Sequence, residues 1–225
     1  MSHKKQGFRF ENDWDVETLE RDWSGVTIAE PIPVNIEIKA DQKVIHIDKA
    51  KEYLEKAENI YSVDCECRTK RGNCNNPIET CLMWDVAEST IDSDWAKELH
   101  IKRITLDEAY ETLKMSHEAG LVHMAYASGE NPNINSLCSC CSCCCAIFSG
   151  LLRFGMFKHV LSSDTIQVTD ESTCTSCGSC IDSCHFGARE ILNGNLEVNN
   201  EICYGCGLCV ESCPELAISI HTKSQ

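Results

Sequence analysis

The chain has 225 residues, 43% of them hydrophobic, and a formal net charge of −15. That length allows one or two globular domains, and the acidic balance argues against a nucleic-acid binder, which needs a basic face for phosphates. The start, MSHKKQGFRFENDWD, has no apolar core of a secretory signal. No uncharged apolar run reaches 18 residues, and the best candidate, 143–157, is short and contains Arg153. The expectation is a cytoplasmic protein with no membrane insertion. Its 18 cysteines then read as metal ligands rather than disulfides. The acidic surface suits either plain solubility or docking onto a basic patch of a redox partner.

In chain order, residues 1–165 read as a mixed α/β, Cys-rich metal-binding domain. Residues 35–47 suggest two short strands around Ala40-Asp41-Gln42. Asp48 is placed to cap a helix carrying Ala50, Tyr53, Leu54, Ala57 and Ile60 on one face. Pro77 is placed to open a second helix, with Ile78, Cys81, Leu82 and Val86 facing inward. Thr105 and Glu108 have capping-box spacing ahead of Leu106, Ala109, Tyr110 and Leu113, and Gly120 supplies the stop. Residues 121–126 read as a strand.

Residues 166–225 form the second expected domain, and there the sequence repeats with a period of 29 residues. CTSCGSCIDSCHFGAREI aligns with CYGCGLCVESCPELAISI, pairing Gly178 with Gly207, Ser183 with Ser212, Ala188 with Ala217 and Ile191 with Ile220. β-Prone segments at 165–168, 189–192, 196–198 and 217–220 flank the cysteine runs, and Asn193-Gly194 marks a tight turn. Each half is expected to run strand, cysteine loop, short helix, strand, giving an α+β fold overall.

Two runs of C-x2-C-x2-C-x3-C carry the chemistry: Cys174, Cys177, Cys180, Cys184 and Cys203, Cys206, Cys209, Cys213. Three cysteines at two-residue gaps suit one loop wrapping one cluster, whereas zinc knuckles have no use for the third. Gly178, Gly205 and Gly207 lie between them, where backbone N–H groups can approach sulfur and tune a potential. These residues resemble the bacterial-type dicluster ferredoxins, over about 56 residues. The resemblance implies a (βαβ)2 module with two low-potential [4Fe-4S] clusters. It also implies that the fourth cysteine of each run serves the other cluster. Cluster one would take Cys174, Cys177, Cys180 and Cys213; cluster two would take Cys203, Cys206, Cys209 and Cys184. One departure is visible: Cys213 precedes Pro214, but Cys184 precedes His185. That histidine is either a polar neighbour or a site of redox-linked proton uptake.

Ten cysteines remain. Cys65, Cys67, Cys74 and Cys81 form one group; Cys138, Cys140, Cys141, Cys143, Cys144 and Cys145 form CSCCSCCC. Three readings stand for them: one or two further [4Fe-4S] clusters sharing ligands between the groups, zinc in the first group, or a redox-active thiol switch. Four cubanes need sixteen ligands, which leaves two cysteines over, with Cys145 the first candidate spare. The wider arrangement resembles dicluster-domain proteins of anaerobes. The residues that carry this are Cys65, Cys67 and Arg68, then Pro77, Glu79 and Cys81, the run from Cys138, and Pro-Ile-Pro-Val at 31–34. It implies that both groups are ligands and that the host is anaerobic. Arg68 either offsets cluster charge or is a solvated loop arginine.

No G-x-G-x-x-G fingerprint, P-loop or H-E-x-x-H motif is present. No flavin, NAD or ATP site and no catalytic residue is therefore expected. His46, His100, His117, His123 and His159 read as ordinary scattered polar residues. The leading expectation is an electron-transfer protein or subunit that needs a donor and an acceptor protein, plausibly oxidoreductase subunits. The alternatives are a small iron–sulfur enzyme with an open iron, and a maturation or redox-sensing factor.

Overall fold

The structure is a computed structural model that describes Glu17 and residues 42–44, 46–127, 134–154 and 162–223. The Pro-Ile-Pro-Val stretch, His159 and the first of the two strands expected in 35–47 lie outside the described residues.

The elements run β1 (Gln42–Val44), α1 (Ile47–Leu54), β2 (Ile60–Asp64), α2 (Glu66–Arg71), β3 (Glu79–Trp84), α3 (Glu88–Ile91), α4 (Asp94–Glu98), β4 (Lys102–Ile104), α5 (Leu106–Glu118), β5 (Val122–Ala127), β6 (Ile134–Cys140) and α6 (Ala146–Phe154). They continue as β7 (Thr165–Thr169), α7 (Ser179–Asp182), β8 (Arg189–Leu192), β9 (Asn195–Val198), a 3-10 turn (Asn200–Ile202), α8 (Leu208–Glu211) and β10 (Ile218–Thr222). Helix and strand are mixed throughout, as an α+β fold requires.

β1 to β6 form one antiparallel sheet in the order β1-β5-β6-β3-β2-β4. Its two faces differ because side chains alternate along a strand. Leu82, Trp84, Ala125 and Leu137 point to the face covered by α1 and α5, where they pack with Ala50, Leu54, Ala109 and Leu113. Cys81, Met83, Val122, Met124, Cys138 and Cys140 belong to the opposite face. The C-x-C spacing of Cys138 and Cys140 is thus a strand spacing that presents both thiols on one side of the sheet.

α5 begins with the expected capping box. Thr105 Oγ1 accepts from the Glu108 N–H at 3.2 Å, and the Glu108 carboxylate accepts from the Thr105 N–H at 2.7 Å. Gly120, at φ 71, ends the helix region in the left-handed conformation that suits glycine. Two expectations are corrected. The residues after Pro77 form strand β3, not a helix: Cys81 to Trp84 are all buried, and an apolar run buried on both faces satisfies helical spacing by accident. α1 is capped by His46, whose Nδ1 accepts the Asp48 N–H at 3.4 Å, not by Asp48. Asp48 sits in the first turn, where a carboxylate complements the helix dipole. That helix stops at Leu54, and Ile60 opens β2.

The C-terminal repeat runs strand, loop, one-turn helix, strand in each half, with β7 paired to β10 and β8 to β9. Asn193 and Gly194, at φ 53 and 86, make the turn between β8 and β9. The 29-residue period extends to the backbone. Left-handed residues recur in register as Ser176 and Gly205, Gly178 and Gly207, Gly187 and Leu216.

Candidate metal centres

In the C-terminal repeat the structure gathers the cysteines into two quartets, each drawn from both halves. Cys174, Cys177, Cys180 and Cys213 line one pocket. Cys184, Cys203, Cys206 and Cys209 line another. The fourth cysteine of each run therefore faces the first three of the other. Two backbone bonds repeat across the period as well: the Ala188 N–H donates to Cys184 Sγ and the Ala217 N–H to Cys213 Sγ, each at 3.3 Å. Burial pushes the Cys206 thiol up to about 12 and the Cys209 thiol to about 11, so these sulfurs stay protonated until a cation draws off the proton. Cys177 is exposed, and bonds from the Ser179 hydroxyl and N–H lower its pKa.

Gly178 is required by its backbone, and Gly205 and Gly207 also by their surroundings. Gly178 has φ 85. A Cβ on Gly205 would overlap the Thr165 carbonyl, and one on Gly207 would overlap the His46 ring. The loop of the second quartet is thus pressed against β7 on one side and the start of α1 on the other.

Arg189 gives a signal that the linear pattern does not carry. Only 3% exposed, it donates from Nη1 to Cys180 Sγ at 3.4 Å and from Nη2 to Gln167 Oε1 and Thr169 Oγ1. Burial opposes its charge, but nearby Cys209, Cys180 and Cys184 more than offset this and raise its pKa. One buried cation thus faces cysteines of both quartets.

Residues 166–215 match the family described as a 4Fe-4S dicluster domain. Two cavities, each lined by four thiols, with N–H···S bonds and a buried guanidinium beside them, fit that description. The segment is thus an iron–sulfur module, and such modules serve electron transfer. No curated protein matches the chain.

The ten N-terminal cysteines are also brought together, but in a partition different from their two sequence groups. Cys74, from the loop after α2, joins Cys141, Cys143 and Cys144, and all four sulfurs lie within 4.8 Å of one another. The other six form a chain of neighbouring thiols. Cys65 and Cys81 share one apolar cluster with Cys67 and Cys138, and Cys140 and Cys145 share the next, which Cys138 also borders. Cys145, the candidate spare, is 4% exposed, packs with Cys140 and accepts from the Phe148 N–H at 3.5 Å. Hydrogen bonds from Cys140 and Cys81 hold the Cys138 thiol down at about 6. A bond from Cys143, and then Arg68, hold Cys141 at about 4.

Arg68 is 2% exposed, which removes the solvated-loop reading. Its Nη1 donates to the Ser139 carbonyl at 3.0 Å and to Cys141 Sγ at 3.7 Å, and its Nη2 to Thr80 Oγ1. Among the described residues no carboxylate pairs with it. A buried cation without counter-charge is costly. Cys141, which accepts from Arg68 and is held at about 4, is the sulfur placed to supply that charge.

Three of the scattered histidines converge where the sheet meets α8. His117 and His123 stack with centroids 5.5 Å apart, His117 Nε2 lies 3.5 Å from Glu211, and His46 packs on Gly207. His123 is 1% exposed, and its Nδ1 meets Ser139 Oγ at 3.0 Å. Burial lowers its pKa to about 3. His185, in the place of the missing proline, donates from Nε2 to the Gly120 carbonyl at 2.8 Å and meets the Phe148 ring edge-on. It ties the second quartet's exit loop to the N-terminal half. His100 is an exposed residue beside Asp64, 2.8 Å away.

Proposed function

We propose that this chain is an electron relay: single electrons enter at a centre in the N-terminal half and pass through the second quartet to the first. The observation that carries this reading is one apolar core shared by the two halves. Cys140, Cys145 and Phe148 pack there with Phe186 and Leu208, and Cys138, Cys184, Tyr204 and Cys206 border it. Phe148 meets Phe186 at 5.4 Å, and Phe186 stacks on Tyr204 at 4.4 Å. Such contact supports a short, water-excluding path between the six-thiol set and the second quartet.

Bound in each quartet, a [4Fe-4S] cluster supplies one-electron chemistry. The two halves of 166–225 are read as a (βαβ)2 ferredoxin module with the crossed ligand sets above, and residues 1–165 as its Cys-rich companion domain. Cys65, Cys67, Cys81, Cys138, Cys140 and Cys145 are read as holding a further cluster. No three of these sulfurs close to within 4.8 Å of one another, which suits a polynuclear centre better than one ion. The exposed Cys177 marks the first quartet as the exit. Asp182 and Glu215 flank it in sequence, so a partner oxidoreductase subunit with a basic face fits there. Among the described residues no helix is long and apolar enough to cross a membrane; a cytoplasmic setting in an anaerobe completes the reading.

The test is iron and acid-labile sulfide quantification of anaerobically purified chain, with EPR of the reduced state. About twelve irons with about as many sulfides, and magnetic coupling between centres, are expected. About eight sulfides or fewer would remove the N-terminal entry point; none would end the reading altogether.

A further inference from the structure

We propose that Cys74, Cys141, Cys143 and Cys144 form a single-ion tetrathiolate site, separate from every iron–sulfur cluster of the chain. The argument is one of sulfur spacing. Cys74 Sγ lies 3.8 Å from Cys141 Sγ and 3.7 Å from Cys144 Sγ, and Cys144 Sγ lies 3.9 Å from Cys143 Sγ. A tetrahedral ion with metal–sulfur bonds of about 2.3 Å has edges of about 3.8 Å between its ligands. A cubane places each thiolate on a different iron, so its four sulfurs stand well apart around a body of iron and sulfide.

The molecule contains its own control. In neither dicluster quartet do three sulfurs close to within 4.8 Å of one another. Among the described residues, only the Cys74 group closes to within 4.8 Å. Its loops are held by groups that do not depend on a bound ion. Asn73 Nδ2 donates to the Cys143 carbonyl at 3.0 Å, and Arg68 reaches Cys141 Sγ. Four thiolates around a divalent ion carry two net negative charges, and the buried Arg68 guanidinium answers part of that. All-sulfur tetrahedra select thiophilic ions, zinc first, or one iron held without sulfide. The ion would clamp the loop after α2 to the turn between β6 and α6, and so fix the face that carries the six-thiol set.

Cubanes contain metal and acid-labile sulfide in equal number, so a single-ion site adds one metal with no sulfide. Elemental analysis of the native chain should give total metal exceeding sulfide by one per chain. The Cys74→Ser/Cys143→Ser variant should lose that one ion, zinc or iron, while sulfide and the reduced dicluster EPR signal stay unchanged. Loss of iron and sulfide together in the variant would overturn the proposal, as would equal metal and sulfide in the native chain. The native measurement stands even if the variant fails to fold. Failure of the relay reading would show instead as missing sulfide and EPR signal, which this site does not affect.

Discussion

The two cysteine-rich regions gather their thiols by opposite routes. In residues 166–215 the ligand geometry is local. Two tight loops each supply three sulfurs, and left-handed residues recur at matching positions of the repeat. In the N-terminal half it is assembled from a distance. The end of β2, the first turn and exit loop of α2, strand β3 and the β6–α6 turn each contribute, and an antiparallel sheet brings them to one face. Yet both regions bury one arginine against sulfur, Arg68 in one and Arg189 in the other. Local loops make a cysteine set readable in sequence; a buried arginine stands against the gathered sulfurs whichever route built them.

The sharpest way to break the comparison is to remove one sulfur from each region. Cys180→Ala should cost the dicluster segment about four irons, and Cys140→Ala should deplete the N-terminal centre while leaving both dicluster signals. If Cys140→Ala leaves the iron count and spectra of the chain unchanged, the two regions are not alike. The arginines come next. Removing a unit charge at about 6 Å, with an effective dielectric near 20, changes a reduction energy by roughly 3 kcal/mol, on the order of 100 mV for one electron. Arg189→Met should lower the dicluster potentials by that order in a redox titration, and Arg68→Met should lower only the N-terminal one. A shift of the same signals by both would merge the two regions electrically.

The smallest effect concerns the joint between them. His123 is neutral in the fold, with its pKa lowered to about 3, and returns to about 6.5 when unfolded. The unfolded chain therefore binds the extra proton between those values. The contribution of this ring is complete above pH 6.5 and is lost as pH falls toward 3, by up to about 1.4 kcal/mol per unit. His123→Asn keeps a partner for Ser139 but cannot titrate. Its denaturant midpoint should fall less than that of the native chain between pH 7 and 5.5; an equal fall would show that His123 does not set the acid response.

What the sequence made legible follows the same divide. The repeat, the Asn193-Gly194 turn and the capping box were readable because spacing alone dictates them, whereas the crossed membership of the quartets came only with the resemblance to dicluster ferredoxins. The partition of the ten N-terminal cysteines was not, since Cys74 and Cys141 are 67 residues apart and only sheet pairing brings them together. β3 was hidden because a fully buried strand has no alternation to betray it. Arg68 stood between a charge beside a cluster and a solvated loop arginine, and Arg189 was only part of a β-prone segment, because burial of a charge depends on neighbours that composition cannot name. His46, His117 and His123 come from a helix cap, a helix end and a strand, and no local pattern links them.

The His46 ring that fills the space a side chain on Gly207 would need has a consequence for wear. It covers the loop of the second quartet, whereas Cys177 of the first is exposed. Under the relay proposed above, oxidative damage to an iron-loaded chain would begin at the first quartet, so an aged molecule would lose its outlet before its entry point.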